Sequence, residues 1–349
     1  MKKNRILKFF IILLIPVVLA ASAIVIIDPF FHYHAPIKGM PYVLTEERYQ
    51  NNGIARHFDY EAIITGSSTS QNFKTTDVER LWGYKAVKLP FAGATFKEQD
   101  SIVRTAIAAN DDLKLVIRGL DPNRINCDKD EMGYDNYPQY LYDKNPFNDY
   151  DYLFNKDVWV MIGNIVMRGI KGKGPMTFDE YSNWNDMKTF GREAVLRTFE
   201  RQDVVAEPTH FTDEDYARIR DNINQNIIET AKAHPDIEFC LFMTPPCVCF
   251  WDALIRSGNY EDVMDELELT YEMLLEVENI KLYSFFDRID ITGNLDNYMD
   301  TLHYSEDINT YICECMKRGE GLMTQDNYLE HLENVRKLYR EFDHDSIFE

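Results

Sequence analysis

The stretch Glu61-Ala62-Ile63-Ile64-Thr65-Gly66-Ser67-Ser68 decides the fold. Its first five residues form a short, mostly apolar run that does not alternate, as expected of a strand buried on both faces. Gly-Ser-Ser then breaks it in a tight turn. The same pattern returns downstream. Residues 86–89, 113–120, 237–243 and 280–285 read as four more short strands. Between them, residues 97–109 read as a helix with Ile102, Val103 and Ile107 on its apolar side. Thr212 opens another, with Asp215 at the capping-box position and Phe211 and Tyr216 placed to form a hydrophobic staple. That helix runs towards Ala233, where His234-Pro235 stops it. Residues 260–277 are amphipathic, with Val263, Met264, Leu267, Tyr271, Leu274 and Leu275 on one stripe. Strands and helices in alternation predict a mostly parallel five-stranded sheet with helices on both faces, an α/β/α sandwich of three layers. Sites in such sheets lie at the carboxyl ends of the strands. That rule puts Ser68, Gly93 and Asp121 along one rim.

Residues from about 123 to 210 interrupt the rhythm. They are rich in Tyr and Asp, including Tyr134, Tyr137, Tyr140, Tyr142, Tyr150 and Tyr152. We expect an insertion packing on the main sheet, its tyrosines serving mostly as aromatic anchors. A sugar-binding surface is the rival reading, because tyrosine offers a flat face and a hydroxyl. Within it, residues 158–170 form a short apolar helix, too short to span a bilayer.

At the N-terminus, Lys2, Lys3, Arg5 and Lys8 precede an apolar run over residues 9–27. At about 1.5 Å per residue that run reaches roughly 28 Å, close to a bilayer's hydrocarbon thickness. The basic flank predicts a cytoplasmic N-terminus and an extracytoplasmic remainder. Ala21-Ser22-Ala23 would suit a signal-peptide cleavage site. The apolar run continues through Ile27, which favours an uncleaved anchor. Residues 28–59 read as an irregular juxtamembrane linker, and 60–349 as the exported domain. His32 and His34 form an H-x-H pair that could bind metal, although beside aromatic residues it reads more simply as interfacial sequence.

The formal net charge of −21 argues against a nucleic-acid partner, which needs clustered Lys and Arg. There is no Gly-rich phosphate loop or dinucleotide fingerprint, and we expect neither cofactor nor metal. Six cysteines include two Cys-x-Cys pairs, Cys247/Cys249 and Cys313/Cys315. The spacing is shorter than the usual zinc pattern, so a disulfide between the pairs or free thiols is expected. Cys240 sits in an apolar run as a buried thiol.

Two short patterns carry chemistry. Ser68 follows a buried strand and a glycine, and a helix start just beyond would offer N–H groups to an oxyanion. Asp300-Thr301-Leu302-His303 sets a carboxylate three residues before an imidazole. In one helical turn or a tight loop, Asp300 can orient His303 and leave Nε2 to face a serine. Each pattern alone is common. Together, with Gly93 after the second strand, they resemble the SGNH/GDSL hydrolase superfamily, whose first block is G-D-S and last is D-x-x-H. The resemblance spans roughly residues 60–309. It is closest to the N-terminally membrane-anchored bacterial type, DltD-like and AlgX-like, in which G-[ST]-S replaces G-D-S.

That resemblance implies a flavodoxin-like SGNH fold and a serine esterase or O-acyltransferase acting on acyl esters, including those of cell-envelope glycans. It implies Ser68, Asp300 and His303 as the catalytic residues, with Ser68 and Gly93 giving oxyanion N–H groups. It also implies a multi-pass membrane O-acyltransferase as partner. The third block departs from the pattern. Where the superfamily has G-x-N, this chain has Gly119-Leu120-Asp121. An ionised Asp121 cannot donate to an oxyanion. It could be protonated, pair with Arg118 or Arg124, or serve structurally, with Asn123 as a substitute donor. The departure also admits a non-catalytic binding or assembly protein.

Overall fold

A computed structural model describes residues 2–143, 145–208 and 210–348. The side chains of residues 2–7, most of the basic flank, lie outside the described residues. The chain forms two compact units. One comprises residues 1–58 and 136–177, the other residues 59–135 and 178–349.

The larger unit holds the sheet. Its strands are β1 (Ala62–Thr65), β2 (Ala86–Lys88), β3 (Leu115–Leu120), β4 (Glu238–Met243) and β5 (Ile280–Tyr283). They lie in the order β2-β1-β3-β4-β5, every pairing parallel. Each strand expected from the sequence is present, trimmed by a residue or two at its ends. β1, β2 and β3 are buried at every position, so their side chains cannot alternate in polarity. The step from β1 to β2 runs one way along the sheet, and the chain then crosses back to β3. With right-handed crossovers this puts the helix Thr75–Trp82 on one face and the helices Phe96–Ala109, Asp213–Ile223 and Tyr260–Leu275 on the other. Packing agrees. The Asp213–Ile223 helix touches both Phe96–Ala109 and Tyr260–Leu275, while Thr75–Trp82 touches Glu306–Arg318.

Local signals explain several helix starts. The Thr212 capping box with Asp215 forms, and the Phe211 and Tyr216 rings meet edge to face. A second capping box, Thr95 with Glu98, starts the helix Phe96–Ala109. The helix after Thr212 widens into a π-turn over Asn224–Ile228 before ending at Ala233. That turn presents the Asn226 carbonyl to buried Arg118 of β3, whose guanidinium also donates to the Gln99 side chain and the Phe96 carbonyl. Burial without a paired carboxylate lowers the Arg118 pKa to about 10.

The smaller unit begins with the helix Lys2–Ile27. Its portion Lys8–Ile27 has a mean hydropathy of 3.2 and is long and apolar enough to cross a membrane, a test that a signal sequence also passes. Residues 28–58 are built rather than irregular. Buried Asp28 accepts the N–H groups of His32, Tyr33 and His34 and the hydroxyl of Tyr152. The Gln50 side chain bridges Pro29 and Val43 to Thr45 and Glu46, and the helix Glu47–His57 follows. Hydropathy does not register such polar stitching. Residues 136–177 fold with this segment. Tyr152 is an aromatic anchor buried beside Phe30, so this part of the insertion packs on the N-terminal segment and not on the main sheet as expected.

Candidate active site

Gly66 ends β1 with φ +145°, and a Cβ there would lie 2.2 Å from Ser70 Oγ. Only glycine fits this conformation and this space. Ser68–Ser70 then forms a single 3₁₀ turn. The expected helix does not follow directly, since the next one begins at Thr75. A helix dipole at Ser68 is therefore replaced by isolated N–H groups. The turn is held from three directions. Lys88 Nζ of β2 donates to the Gln71 carbonyl at 2.5 Å. Asn309 Nδ2 donates to the Thr69 carbonyl at 3.0 Å. The Thr69 hydroxyl donates to Asp121 at 2.9 Å.

The D-x-x-H segment is a tight loop, closed by an antiparallel bridge between Tyr298 and Tyr304 and by Met299 N–H on the His303 carbonyl. Two further bonds fix it to the segment after β4: the Tyr298 hydroxyl donates to the Pro245 carbonyl, and Cys247 N–H to the Thr301 carbonyl. Asp300 Oδ1 accepts the N–H groups of Leu302 and His303, at 2.9 and 2.8 Å. Its Oδ2 lies 2.7 Å from His303 Nδ1. His303 Nε2 lies 2.6 Å from Ser68 Oγ. Burial tends to raise the Asp300 pKa, but the bonds from His303 and the two amides outweigh it and leave the carboxyl below its ordinary value. The structure thus brings Ser68, His303 and Asp300 into one hydrogen-bonded chain across 235 residues of sequence. Such a chain can take a proton from the hydroxyl and hold the resulting imidazolium.

Gly93 lies on a turn after β2 with φ +67°. The N–H groups of Ser68 and Gly93 donate to no described group. Asp121 follows β3 and is buried; one carboxylate oxygen accepts from both the Thr69 and Thr244 hydroxyls, each at 2.9 Å. Pairing with Arg118 does not occur, because that guanidinium is committed to Gln99, Asn226 and Phe96. Arg124 instead reaches the Gly93 carbonyl at 3.4 Å. Asn123 stands exposed on the turn Pro122–Arg124 without a hydrogen bond. The geometry gives Asp121 a scaffold role, tying the β1 turn to β3 and β4.

Sequence reasoning missed Trp184. Its indole N–H donates to the Ser68 carbonyl at 3.3 Å, its ring meets His303 edge-on at 5.7 Å, and Phe190 stacks on it. The Trp184 backbone N–H is anchored on Asn72 Oδ1, and neighbouring Asn185 accepts the N–H of Glu306. A lone Trp between two Asn residues in a polar stretch was the available signal.

The other candidate residues lie apart from this chain. His32 Nε2 faces Asp149, whereas both ring nitrogens of His34 face backbone carbonyls, of Ala35 and Val25. The pair therefore does not converge. Among the described residues no group of three His, Cys, Asp or Glu side chains is placed to hold a metal. All six cysteines are free thiols, so the expected disulfide alternative gives way to buried thiols at every position except half-buried Cys127. Burial raises the Cys240 thiol well above its ordinary pKa.

No family model matches this chain, and no curated protein does. Among solved structures it is similar to one described as "a putative platelet activating factor from Streptococcus pneumonia", at 12% identity and TM-score 0.39, over 78% of this chain and 90% of that one. That likeness is too loose to argue from.

Proposed function

We propose that this chain is a serine-dependent hydrolase or acyltransferase acting on ester bonds. More particularly, we read it as a membrane-anchored SGNH/GDSL protein of the DltD-like and AlgX-like type, with a flavodoxin-like three-layer domain outside the cytoplasm. Its substrates would be acyl esters of cell-envelope glycans. The observation that carries the reading is the chain Ser68 Oγ–His303–Asp300, at 2.6 and 2.7 Å, at the carboxyl end of β1. The strand order 2-1-3-4-5 supports it, because the chain reverses direction between β1 and β3 and ligands bind at such a switch point.

Each group then has a task. Ser68 Oγ attacks the ester carbonyl and its proton passes to His303 Nε2. Asp300 holds the tautomer and stabilises the imidazolium. The free N–H groups of Ser68 and Gly93 receive the oxyanion. His303 returns the proton to the leaving alcohol, giving an acyl-serine. Water then yields a free acid, whereas a sugar hydroxyl yields an acylated glycan. A multi-pass membrane O-acyltransferase would supply the acyl group in the transfer case.

One observation favours a second reading, a non-catalytic envelope assembly protein of the same fold. The position that should supply a third oxyanion donor carries a carboxylate occupied by two threonines. Incubation of the full chain with an activated acetyl ester separates the two. The enzyme reading expects acetyl on Ser68 by mass spectrometry, discharged faster by a glycan acceptor if transfer is the role. No acyl-serine from folded protein would leave the assembly reading.

A further inference from the structure

The helix Lys156–Ile170 in the smaller unit has two apolar faces. Val158, Met161, Ile162 and Ile165 are buried in a cluster with Ile24 and Phe30. On the far side, Trp159, Val160, Val166, Met167 and Ile170 are exposed, Val160 to 61% and Ile170 to 73%. At 100° per residue these five fall on one face, which also carries Lys156 in the first turn, at the end where a basic side chain can reach headgroups. Asp157, Asn164 and Arg168 form the one polar strip between the two faces. A helix apolar on nearly every side is one that water does not surround.

The same unit indicates what covers it. The buried face packs on the last turn of the Lys2–Ile27 helix, through Ile24 and Ile27. The Lys8–Ile27 stretch covers 20 residues. At about 1.5 Å each it fills a hydrocarbon layer of roughly 30 Å. Its last turn therefore marks the boundary between acyl chains and headgroups, and the second helix sits at that depth. Its charge fits as well. Lys156, Arg168, Lys171 and Lys173 stand against one acid, Asp157, in a chain whose net charge is −21. A Trp-bearing apolar face with flanking basic residues is the pattern of a helix lying in a membrane interface.

We propose that the Lys156–Ile170 helix lies on the outer surface of the bilayer crossed by Lys8–Ile27, its second apolar face set into the headgroup and acyl boundary. This rests on the reading of Lys8–Ile27 as a membrane span. The arrangement gives the chain two attachments to one membrane, which restrict tilting of the smaller unit about its anchor.

The test uses the full chain in nanodiscs of phosphatidylcholine and phosphatidylglycerol whose acyl chains are brominated at shallow or deep positions. The Trp159 emission is taken as the difference between wild type and Trp159→Phe. Shallow bromines should quench that component at least twofold, deep bromines less. Val160→Glu with Ile170→Glu should abolish the quenching while the protein stays in the discs. Trp159 quenched by acrylamide but by no bromolipid would overturn the proposal, and so would protection from both, which would mean a protein partner or a second copy covers the face. A chain absent from the disc fraction would remove the membrane span as well. That outcome leaves the Ser68 chemistry untouched, which the acetyl-ester assay reads separately.

Discussion

The turns after β1 and β3 begin alike and end in opposite chemistry. Each strand carries a glycine at its carboxyl end, Gly66 just after β1 and Gly119 one residue before the end of β3, and a Cβ on either would strike Ser70 Oγ, at 2.2 or 2.5 Å. Beyond the glycines they diverge. The β1 turn leaves Ser68 half-buried, with its hydroxyl on His303 and its N–H unused. The β3 turn buries Asp121 and spends its carboxylate on two threonines. One turn presents a half-buried hydroxyl and an unused N–H, whereas the other buries an acceptor-only carboxylate whose Oδ1 is tied to two threonines. The lesson is that a rim position is defined by the burial of its side chain and by whether it can donate as well as accept.

The sharpest way to break this comparison is to remove the free groups. Ser68→Ala and His303→Ala should each lower ester turnover by about 10³-fold or more. Melting temperatures should stay near wild type, because Ser68 and His303 are both only part-buried. If either variant kept a tenth of the activity, the β1 turn would be no more chemical than the β3 turn.

Next in size is the shared glycine. Gly66→Ala should cost about 2–4 kcal/mol in denaturant unfolding, combining backbone strain with the clash on Ser70. Adding Ser70→Gly removes the clash but not the strain, so the double variant should recover part of the loss. No recovery would show that Ser70 is not what the glycine accommodates.

Asp121 comes third. Asp121→Ala leaves the Thr69 and Thr244 hydroxyls only their longer contacts with Ser67 Oγ and the Leu120 carbonyl, at about 1–3 kcal/mol of stability, and loosens the β1 turn. We expect roughly tenfold lower kcat with KM little changed, and most of it restored in Asp121→Asn, which keeps an acceptor. A loss as deep as that of Ser68→Ala would move Asp121 from scaffold to chemistry.

The sequence made the strands legible because buried parallel strands are unbroken apolar runs, as in Ala62–Thr65 and Leu115–Leu120. Thr212 and Asp215 likewise declared their helix by local hydrogen bonding. Ser68 and the pair Asp300 and His303 were legible as motifs, but their meeting was not, because closure over 235 residues is a property of the sheet. Trp184 was hidden for the same reason: it reaches the Ser68 carbonyl from a segment with no strand or helix periodicity. The structure of residues 28–58 was invisible because Asp28 and Gln50 organise it through polar bonds.

A separate effect, confined to one pH range, concerns a carboxyl away from both turns. Glu266 is buried, with Oε1 unpartnered, and burial raises its pKa to about 8 from 4.5. A carboxyl raised on folding favours the protonated native state. Its contribution is complete below about pH 4.5 and is lost as pH rises towards about 8. Glu266→Gln should therefore leave the melting temperature unchanged near pH 4.5 and raise it by a few degrees at pH 8. Identical curves at both pH values would show that Glu266 is not held protonated.

The central claim is that Ser68 is a nucleophile activated through His303. The most direct measurement is intact-protein mass spectrometry of the full chain after treatment with a fluorophosphonate. The account predicts a single adduct on Ser68, absent in Ser68→Ala and formed far more slowly in His303→Ala. Folded protein that takes no adduct at any pH, or an adduct that persists in Ser68→Ala, would contradict it.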